Sequence, residues 1–118
     1  MPLRCVIVDD NSLFLEGAAE LLRREGMDVV GVASSSAAAI RLVTELRPDV
    51  TLVDIDLGDE DGFALAQQLA SASSNVILVS THAEEDLAQL IERSPALGFI
   101  AKARLSAQAI HDTLERAA

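Results

Sequence analysis

The sequence holds no tryptophan or tyrosine, only three phenylalanines and a single cysteine. Because aromatic side chains are so scarce, the core of a folded domain must be packed with Ala, Val, Leu and Ile. The cysteine, Cys5, has no partner for an internal disulfide and lies within an apolar run, which predicts a buried and inert thiol. Such cysteine usage is typical of a reducing compartment, so we expect a cytoplasmic location.

Basic residues are also few, since nine Lys and Arg oppose 19 Asp and Glu for a formal net charge of −10. This charge disfavours nonspecific binding to nucleic acid or to anionic membrane surfaces. No apolar run is long enough to span a bilayer, and the first residues do not have the layout of a signal peptide. Half of the residues are hydrophobic, which predicts one folded domain over residues 1–118.

Five short apolar runs alternate with stretches of helical periodicity. The runs are nearly continuous, as in strands that are covered on both faces. We place these strands at 3–8, 27–32, 50–53, 76–79 and 97–101. Each connection has the length of a crossover helix, so the pattern predicts an α/β fold in which a parallel sheet has helices on both faces.

Polar side chains follow four of these strands, at the point where each strand ends. Asp9 and Asp10 follow the first strand, Asp54 the third, Ser80 the fourth and Lys102 the fifth. Any one of them alone would indicate no more than a helix cap or a surface lysine. Because parallel strands end at the same edge of a sheet, we expect the whole set to meet in one site.

The chemistry of this set indicates phosphoryl transfer. Three carboxylates beside one lysine repel each other unless a cation is present. Oxygen ligands, few in number, suit Mg²⁺, which keeps some waters and is completed by a phosphoryl group. Mg²⁺ and Lys102 would then offset the charge of the phosphoryl group in transfer. Asp54 would be the nucleophile, a carboxylate capable of forming an acyl phosphate.

The same residues resemble the receiver domain of two-component response regulators. The resemblance spans the chain in order and rests on four segments: Val8-Asp9-Asp10-Asn11, Val53-Asp54 followed by Asp61-Gly62, Leu78-Val79-Ser80, and Gly98-Phe99-Ile100-Ala101-Lys102. It implies a three-layer, flavodoxin-like (βα)5 fold with strand order 2-1-3-4-5. It also implies a signalling domain rather than an enzyme, one that catalyses only its own phosphoryl transfer and slow dephosphorylation.

For the site, the resemblance implies that Asp54 is the phospho-acceptor, loaded from a phosphohistidine of a sensor histidine kinase. Asp10 would bind Mg²⁺ directly and Asp9 largely through water. Asp54 and the backbone carbonyl of Asp56 would complete the protein ligands of the metal. Lys102 would pair with the phosphoryl oxygens.

The resemblance also implies a conformational switch. Ser80 would be the hydroxyl that moves to bond the phosphoryl group, and Phe99 the aromatic that turns inward as Ser80 moves. The surface that changes would be the fourth helix, fifth strand and fifth helix, about 84–114, through which a homodimer would form. We expect exposed apolar contacts there from Ile91, Ala103 and Leu105. DNA would be bound only through an output domain, of the helix-turn-helix kind, that this chain does not carry.

Several positions qualify the resemblance without removing a chemical group. Gly58 replaces a common proline, Thr81 a small residue, and Ala103 a proline or aspartate. Asp56 and His82 occupy positions that in this family tune the lifetime of the phosphorylated state. The acids at 59–61 are expected to be solvated loop charge that leads into the next helix.

Two alternatives remain beside the receiver interpretation. The string Asp54-Ile55-Asp56 also resembles the nucleophile pair of haloacid-dehalogenase-like phosphatases, although in that class it ends the first strand and here it ends the third. A receiver fold used as a phosphorylation-independent interaction module is the second. The complete set of acids, together with Ser80 and Lys102, argues against it. An EF-hand is excluded because Gly58 and Asp59 invert the required order of residues.

Overall fold

The computed structural model describes residues 2–72 and 75–117. The two boundaries of the predicted domain, residues 1 and 118, therefore lie outside the described residues. The parallel strands are β1 (Arg4–Val8), β2 (Asp28–Ala33), β3 (Val50–Asp54), β4 (Val76–Ser80) and β5 (Gly98–Ala101). The α-helices are α1 (Ser12–Arg24), α2 (Ser36–Leu46), α3 (Gly62–Ser71), α4 (Glu84–Arg93) and α5 (Ala107–Ala117). A 3₁₀ turn, Lys102–Arg104, follows β5.

The five strands form one sheet in the order β2-β1-β3-β4-β5, with every neighbouring pair parallel. This order confirms the predicted 2-1-3-4-5 arrangement. The chain reverses its direction of winding between β1 and β3, and in open parallel sheets this switch point is where binding sites form. The register pairs Val8 with Val53 and Ser80 with Ala101, so the strand ends lie along one edge.

Side chains of the central strands alternate between two apolar cores, because successive residues of a strand point to opposite faces. Cys5 and Ile7 of β1 lie in a core closed by α1 and α5. Val6 and Val8 lie in the other, which α2 and α3 close. Both faces of β1, β3 and β4 are therefore covered, which explains why their sequences are nearly continuous apolar runs. Helices lie on both faces, as predicted.

Helix α4 packs more weakly than the other helices. None of its residues is buried, and Leu90 is 52% exposed, while Leu87 and Ile91 are partly buried against the α2–α3 core. Of the contacts expected at the surface around 84–114, Leu105 is in fact buried, because it packs into the α1–α5 core instead. Ala103 is exposed as expected. No helix of the described residues is long and apolar enough to cross a membrane.

The acidic stretch after β3 folds into a short antiparallel hairpin, formed by Asp56–Leu57 and Glu60–Asp61. Gly58 and Asp59 form its two-residue turn. The positive φ of 65° at Gly58, the first of the two turn residues, is typical of the type II′ turns that match the twist of a hairpin. The sequence analysis treated this stretch as a loop, and two-residue strands have too short a pattern to be recognised.

The acids at 59–61 are exposed, as expected, and two of them also have structural partners. Glu60 Oε1 accepts a hydrogen bond from the Ser36 backbone N–H at 2.9 Å and so ties the hairpin to the start of α2. Asp61 is the N-cap of α3 and accepts from the Phe63 N–H at 2.9 Å. Both carboxylates satisfy helix N–H groups that have no partner within the helix.

Candidate functional site

Asp9 lies directly after β1 and is completely buried. Its Oδ1 accepts a hydrogen bond from the Asn11 N–H at 2.9 Å. Its Oδ2 is paired with the Lys102 ammonium, which lies 2.6 Å away. Asp9 is therefore a buried carboxylate whose charge is paired with a lysine ammonium.

Asp54 is the last residue of β3 and is 4% exposed. Its Oδ1 accepts a hydrogen bond from the Asp56 N–H at 3.2 Å, and its Oδ2 accepts one from the Lys102 ammonium at 3.2 Å. The carboxylate is therefore held at the switch point of the sheet by the Asp56 N–H and by the Lys102 ammonium, which directly follows β5. The structure thus brings Asp9 and Asp54 into contact with Lys102, and the sequence predicts this meeting.

The pKa of Asp54 is raised from 3.8 to about 6. Burial is the main cause, since it disfavours the charged carboxylate. The nearby Asp9 charge raises the pKa further, while the Asp56 N–H and the Lys102 ammonium oppose the rise. The charge of the Asp54 carboxylate is thus only partly offset by its neighbours.

Lys102 is the only lysine in the sequence, and its side chain is 16% exposed. Burial lowers the pKa of its ammonium, but the carboxylates of Asp9 and Asp54 raise it by more, so the pKa lies above its usual value. The ammonium also lies 4.3 Å from the centroid of the Phe14 ring, a cation–π contact. Phe14 is a site residue that the sequence analysis missed.

Asp10 is exposed and lies beside Asp9 and Asp54. Carboxylate oxygens of Asp9, Asp10 and Asp54 all lie within 4.8 Å of one another. The three carry one more negative charge than Mg²⁺ carries positive charge, and hard oxygen ligands with an open side are what Mg²⁺ prefers. These residues therefore fit a magnesium ion.

Two glycines permit this close arrangement. A Cβ on Gly62, the first residue of α3, would collide with the Asp54 carbonyl oxygen and lie 2.7 Å from the Ile55 Cα. A Cβ on Gly58 would lie 3.1 Å from Asp10 Oδ2, so the hairpin turn lies beside the acidic cluster. The backbone after β3 thus packs so closely that a larger residue at 62 requires the helix or the strand to move.

The predicted switch residues lie apart from the acidic cluster. Ser80 is completely buried at the end of β4, where its Oγ accepts a hydrogen bond from the His82 N–H at 3.0 Å. Phe99 is partly buried in β5 and lines a groove between α4 and α5. Within residues 2–72 and 75–117, no hydrogen bond or ion pair joins either of them to Asp9, Asp54 or Lys102.

A further pair lies at the mouth of the site. His82 Nε2 lies 3.5 Å from Asp56 Oδ2, and both side chains are more than half exposed. These are the two positions that the sequence analysis associated with the lifetime of the phosphorylated state, but their mutual contact was not predicted. The sequence does contain a signal for this contact, since Asp56 lies two residues after the end of β3 and His82 lies two residues after the end of the neighbouring β4.

The fold defines a doubly wound α/β domain whose acidic site lies at the carboxyl ends of its strands. The profile of the response regulator receiver domain matches residues 5–115. The chain therefore belongs to the response regulator receiver family, whose members are signalling domains of two-component systems.

Relatives of known description agree with this family. The transcriptional regulatory protein NarL of Mycobacterium tuberculosis is 35% identical over 103 residues, which cover 85% of this chain and 48% of that protein. The transcriptional regulatory protein PdtaR of the same species is 27% identical over 86% of this chain and 50% of its own length. The chain thus spans about half the length of these curated relatives.

Solved structures share the whole fold. The signal receiver domain of the response regulator NarL from Mycobacterium tuberculosis superimposes with a TM-score of 0.81 and 32% identity, covering 98% of this chain and 96% of that one. A LuxR-family response regulator from Aurantimonas sp. SI85-9A1 gives a TM-score of 0.85 with 26% identity, covering 98% and 87%. The receiver fold predicted from the sequence is confirmed.

Proposed function

We propose that this chain is a phosphorylation-dependent switch that accepts a phosphoryl group on Asp54 from the phosphohistidine of a sensor histidine kinase. The observation that carries the proposal is the meeting of Asp54, Asp9 and Lys102 at one edge of the sheet, with Asp10 within reach. This set supplies an acceptor carboxylate, oxygen ligands for a cation and a positive charge for phosphoryl oxygens. A cytoplasmic location and a single domain over residues 1–118 stay predictions.

In the proposed reaction, an Asp54 carboxylate oxygen attacks phosphorus. The bond between phosphorus and the donor imidazole nitrogen breaks, and its electron pair leaves with the imidazole, so an acyl phosphate forms. Mg²⁺, held by Asp9, Asp10, Asp54 and the Asp56 backbone carbonyl, would offset charge on the phosphoryl oxygens when bound. Lys102 contributes a second positive charge from its position 3.2 Å from Asp54 Oδ2.

Phosphorylation would change the conformation of residues on β4 and β5. In this proposal the Ser80 hydroxyl turns from its contact with the His82 N–H toward the phosphoryl group, and Phe99 moves inward beside it. The weak packing of α4 supports such a movement, because a helix without a buried residue costs little to shift. The changed surface, α4, β5 and α5, would then form a homodimer or act on an output domain that binds DNA.

The proposal is tested by incubating the chain with acetyl phosphate and Mg²⁺ and measuring its intact mass. We expect a gain of one phosphoryl mass in the wild type and none in Asp54→Asn. The matched control is Asp59→Asn, an exposed acid in the hairpin turn, which should gain the same mass as the wild type. A wild type without any mass gain would instead support the phosphorylation-independent interaction module.

A further inference from the structure

The Lys102 ammonium lies against three different groups. Two are the carboxylate oxygens Asp9 Oδ2, at 2.6 Å, and Asp54 Oδ2, at 3.2 Å. The third is the ring of Phe14, whose centroid lies 4.3 Å from Nζ. An ammonium over the face of a ring is attracted by the negative charge of the π system, and the attraction grows as the ion loses water. With only 16% of its side chain exposed, Lys102 meets this condition.

Phe14 owes its place to the residues that build the acidic site. Asn11 is the N-cap of α1, and its Oδ1 accepts hydrogen bonds from the N–H groups of Leu13 and Phe14, at 3.0 Å and 3.2 Å. The Asn11 N–H in turn donates to Asp9 Oδ1 at 2.9 Å. The first turn of α1 therefore holds the ring in a set position relative to Asp9. The ring is partly buried against the α1–α5 core, which limits its movement.

The three contacts of Lys102 differ in what happens to them when the site fills. A cation on Asp9 and Asp54 offsets the negative charges that hold the ammonium, and a phosphoryl group on Asp54 takes up the carboxylate oxygen itself. The ring carries no formal charge, binds no metal and accepts no phosphoryl group. It is the contact that neither ligand competes for.

We propose that Phe14 is a positioning residue, whose ring keeps the Lys102 ammonium beside Asp54 while Asp9 and Asp54 exchange partners during phosphoryl transfer. The inference rests on the proposed function, because it assigns Phe14 a part in the same reaction. It goes beyond that function, because none of the proposed roles requires an aromatic residue at position 14. Phe14 does not touch the reacting atoms and acts through Lys102 alone.

The contact is tested first by NMR on metal-free protein labelled with ¹³C-lysine. Because Lys102 is the only lysine, its Cε–Hε group gives one signal that needs no assignment. Protons above the face of a ring resonate upfield, so we expect the wild-type signal upfield of free lysine. Phe14→Leu should move it downfield, and Phe14→Tyr, which keeps the ring, should leave it near the wild-type position. Circular dichroism of each variant checks that α1 and the fold are retained.

The kinetic test compares initial rates of phosphorylation by acetyl phosphate with Mg²⁺. Phe14→Leu should lower the rate about fivefold, which corresponds to about 1 kcal/mol of cation–π attraction. Phe14→Tyr should restore the rate to within about twofold. In a Lys102→Met background, Phe14→Leu should have no further effect, because the ammonium that the ring positions is gone. A merely structural role for Phe14 would lower the rate equally in both backgrounds.

The outcomes separate this inference from the function on which it rests. A wild type that gains no phosphoryl mass overturns both. A wild type that is phosphorylated normally, but whose Lys102 signal does not move in Phe14→Leu, overturns the role of Phe14 alone. Equal rate losses from Phe14→Leu and Phe14→Tyr, or from Phe14→Leu with and without Lys102, would also overturn it.

Discussion

The Lys102 ammonium lies 2.6 Å from Asp9 Oδ2, the shortest ion pair among the described residues. This pair joins the end of β1 to the end of β5 across β3 and β4, and it lies where a cation on the acidic cluster would also bind. A cation bound there would therefore compete with Lys102 for the same buried oxygen. Loading of the cluster should release Lys102 from Asp9 and leave the ammonium to Asp54 and to the ring of Phe14.

Mg²⁺ should stabilise the folded chain through this cluster. At a concentration about tenfold above its dissociation constant, a ligand that binds only the folded state adds about 1.4 kcal/mol to the free energy of unfolding. We expect Asp10→Asn to lose more than half of this gain, because Asp10 offers a metal ligand without taking part in the Lys102 ion pairs. Thermal unfolding with and without Mg²⁺ measures the gain in stability of the wild type and that of Asp10→Asn.

The control for this experiment is Asp59→Asn, which removes an equal charge from the nearby hairpin turn. It should keep the full gain from Mg²⁺. If Asp10→Asn and Asp59→Asn respond to Mg²⁺ alike, Asp10 is not a ligand and the gain comes from general screening of the negative chain.

The arrangement of the site could be predicted because the ends of the strands can be recognised in the sequence. Apolar runs stop at Asp9, Asp54, Ser80 and Lys102, and the parallel topology then brings those residues to one edge. No side-chain geometry was needed to predict that Asp9, Asp54 and Lys102 meet. Sheet order and the burial of the central strands followed from the same pattern of apolar runs together with the family resemblance.

Other features depend on information that a one-dimensional pattern does not hold. The cation–π contact needs the rotation of α1 about its axis, which decides whether Phe14 or a neighbour faces Lys102. The bond from Ser36 to Glu60 joins segments 24 residues apart through one carboxylate, in a hairpin whose strands have two residues each. Leu105 is buried because the 3₁₀ turn before it directs the chain into the α1–α5 core, not along the surface.

Two glycine-to-alanine changes should have opposite effects on stability. Gly62→Ala places a methyl group against the Asp54 carbonyl oxygen and the Ile55 backbone, neither of which can rotate away, so the free energy of unfolding should fall by about 2–4 kcal/mol. Gly17→Ala, in α1, adds a methyl group with no heavy atom within 4 Å apart from the adjoining backbone of the helix and the two neighbouring residues, and it gains helix propensity. It should therefore stabilise the chain by about 0.5–1 kcal/mol.

Urea unfolding followed by circular dichroism measures both variants, since the chain has no tryptophan to report by fluorescence. Gly17→Ala is the matched control for any general effect of exchanging glycine for alanine. A Gly62→Ala variant as stable as the wild type would show that the segment between β3 and α3 relaxes freely, contrary to its close packing here.

Cys5 should be inert in the folded chain. Its thiol is buried in β1, and burial raises its pKa to about 12, so the reactive thiolate is scarce at pH 8. We expect no reaction with Ellman's reagent in native buffer and one thiol per chain in urea. A native thiol that reacts as fast as the unfolded one would mean that the sheet opens readily at β1.

The pH dependence of stability should report the burial of Asp54. Its pKa is raised from the ordinary value of 3.8, which holds in the unfolded chain, to about 6 in the folded chain. The folded state therefore binds the proton more tightly than the unfolded state. The resulting stability is present below about pH 4 and is lost as the pH rises through about 6. In metal-free buffer at pH 7.5, Asp54→Asn should therefore be more stable than the wild type by about 1–3 kcal/mol, and this difference should vanish below about pH 4.

Urea unfolding across this pH range measures the difference, with Asp59→Asn as the control that should run parallel to the wild type. Parallel curves for Asp54→Asn and the wild type would mean that the Asp56 N–H and Lys102 together hold the Asp54 pKa at its ordinary value, against burial and the Asp9 charge. Added Mg²⁺ should narrow the gap at pH 7.5, because the cation favours the ionised carboxylate that only the wild type has. Asp54 would thus lower the stability of the chain at neutral pH until a cation binds beside it.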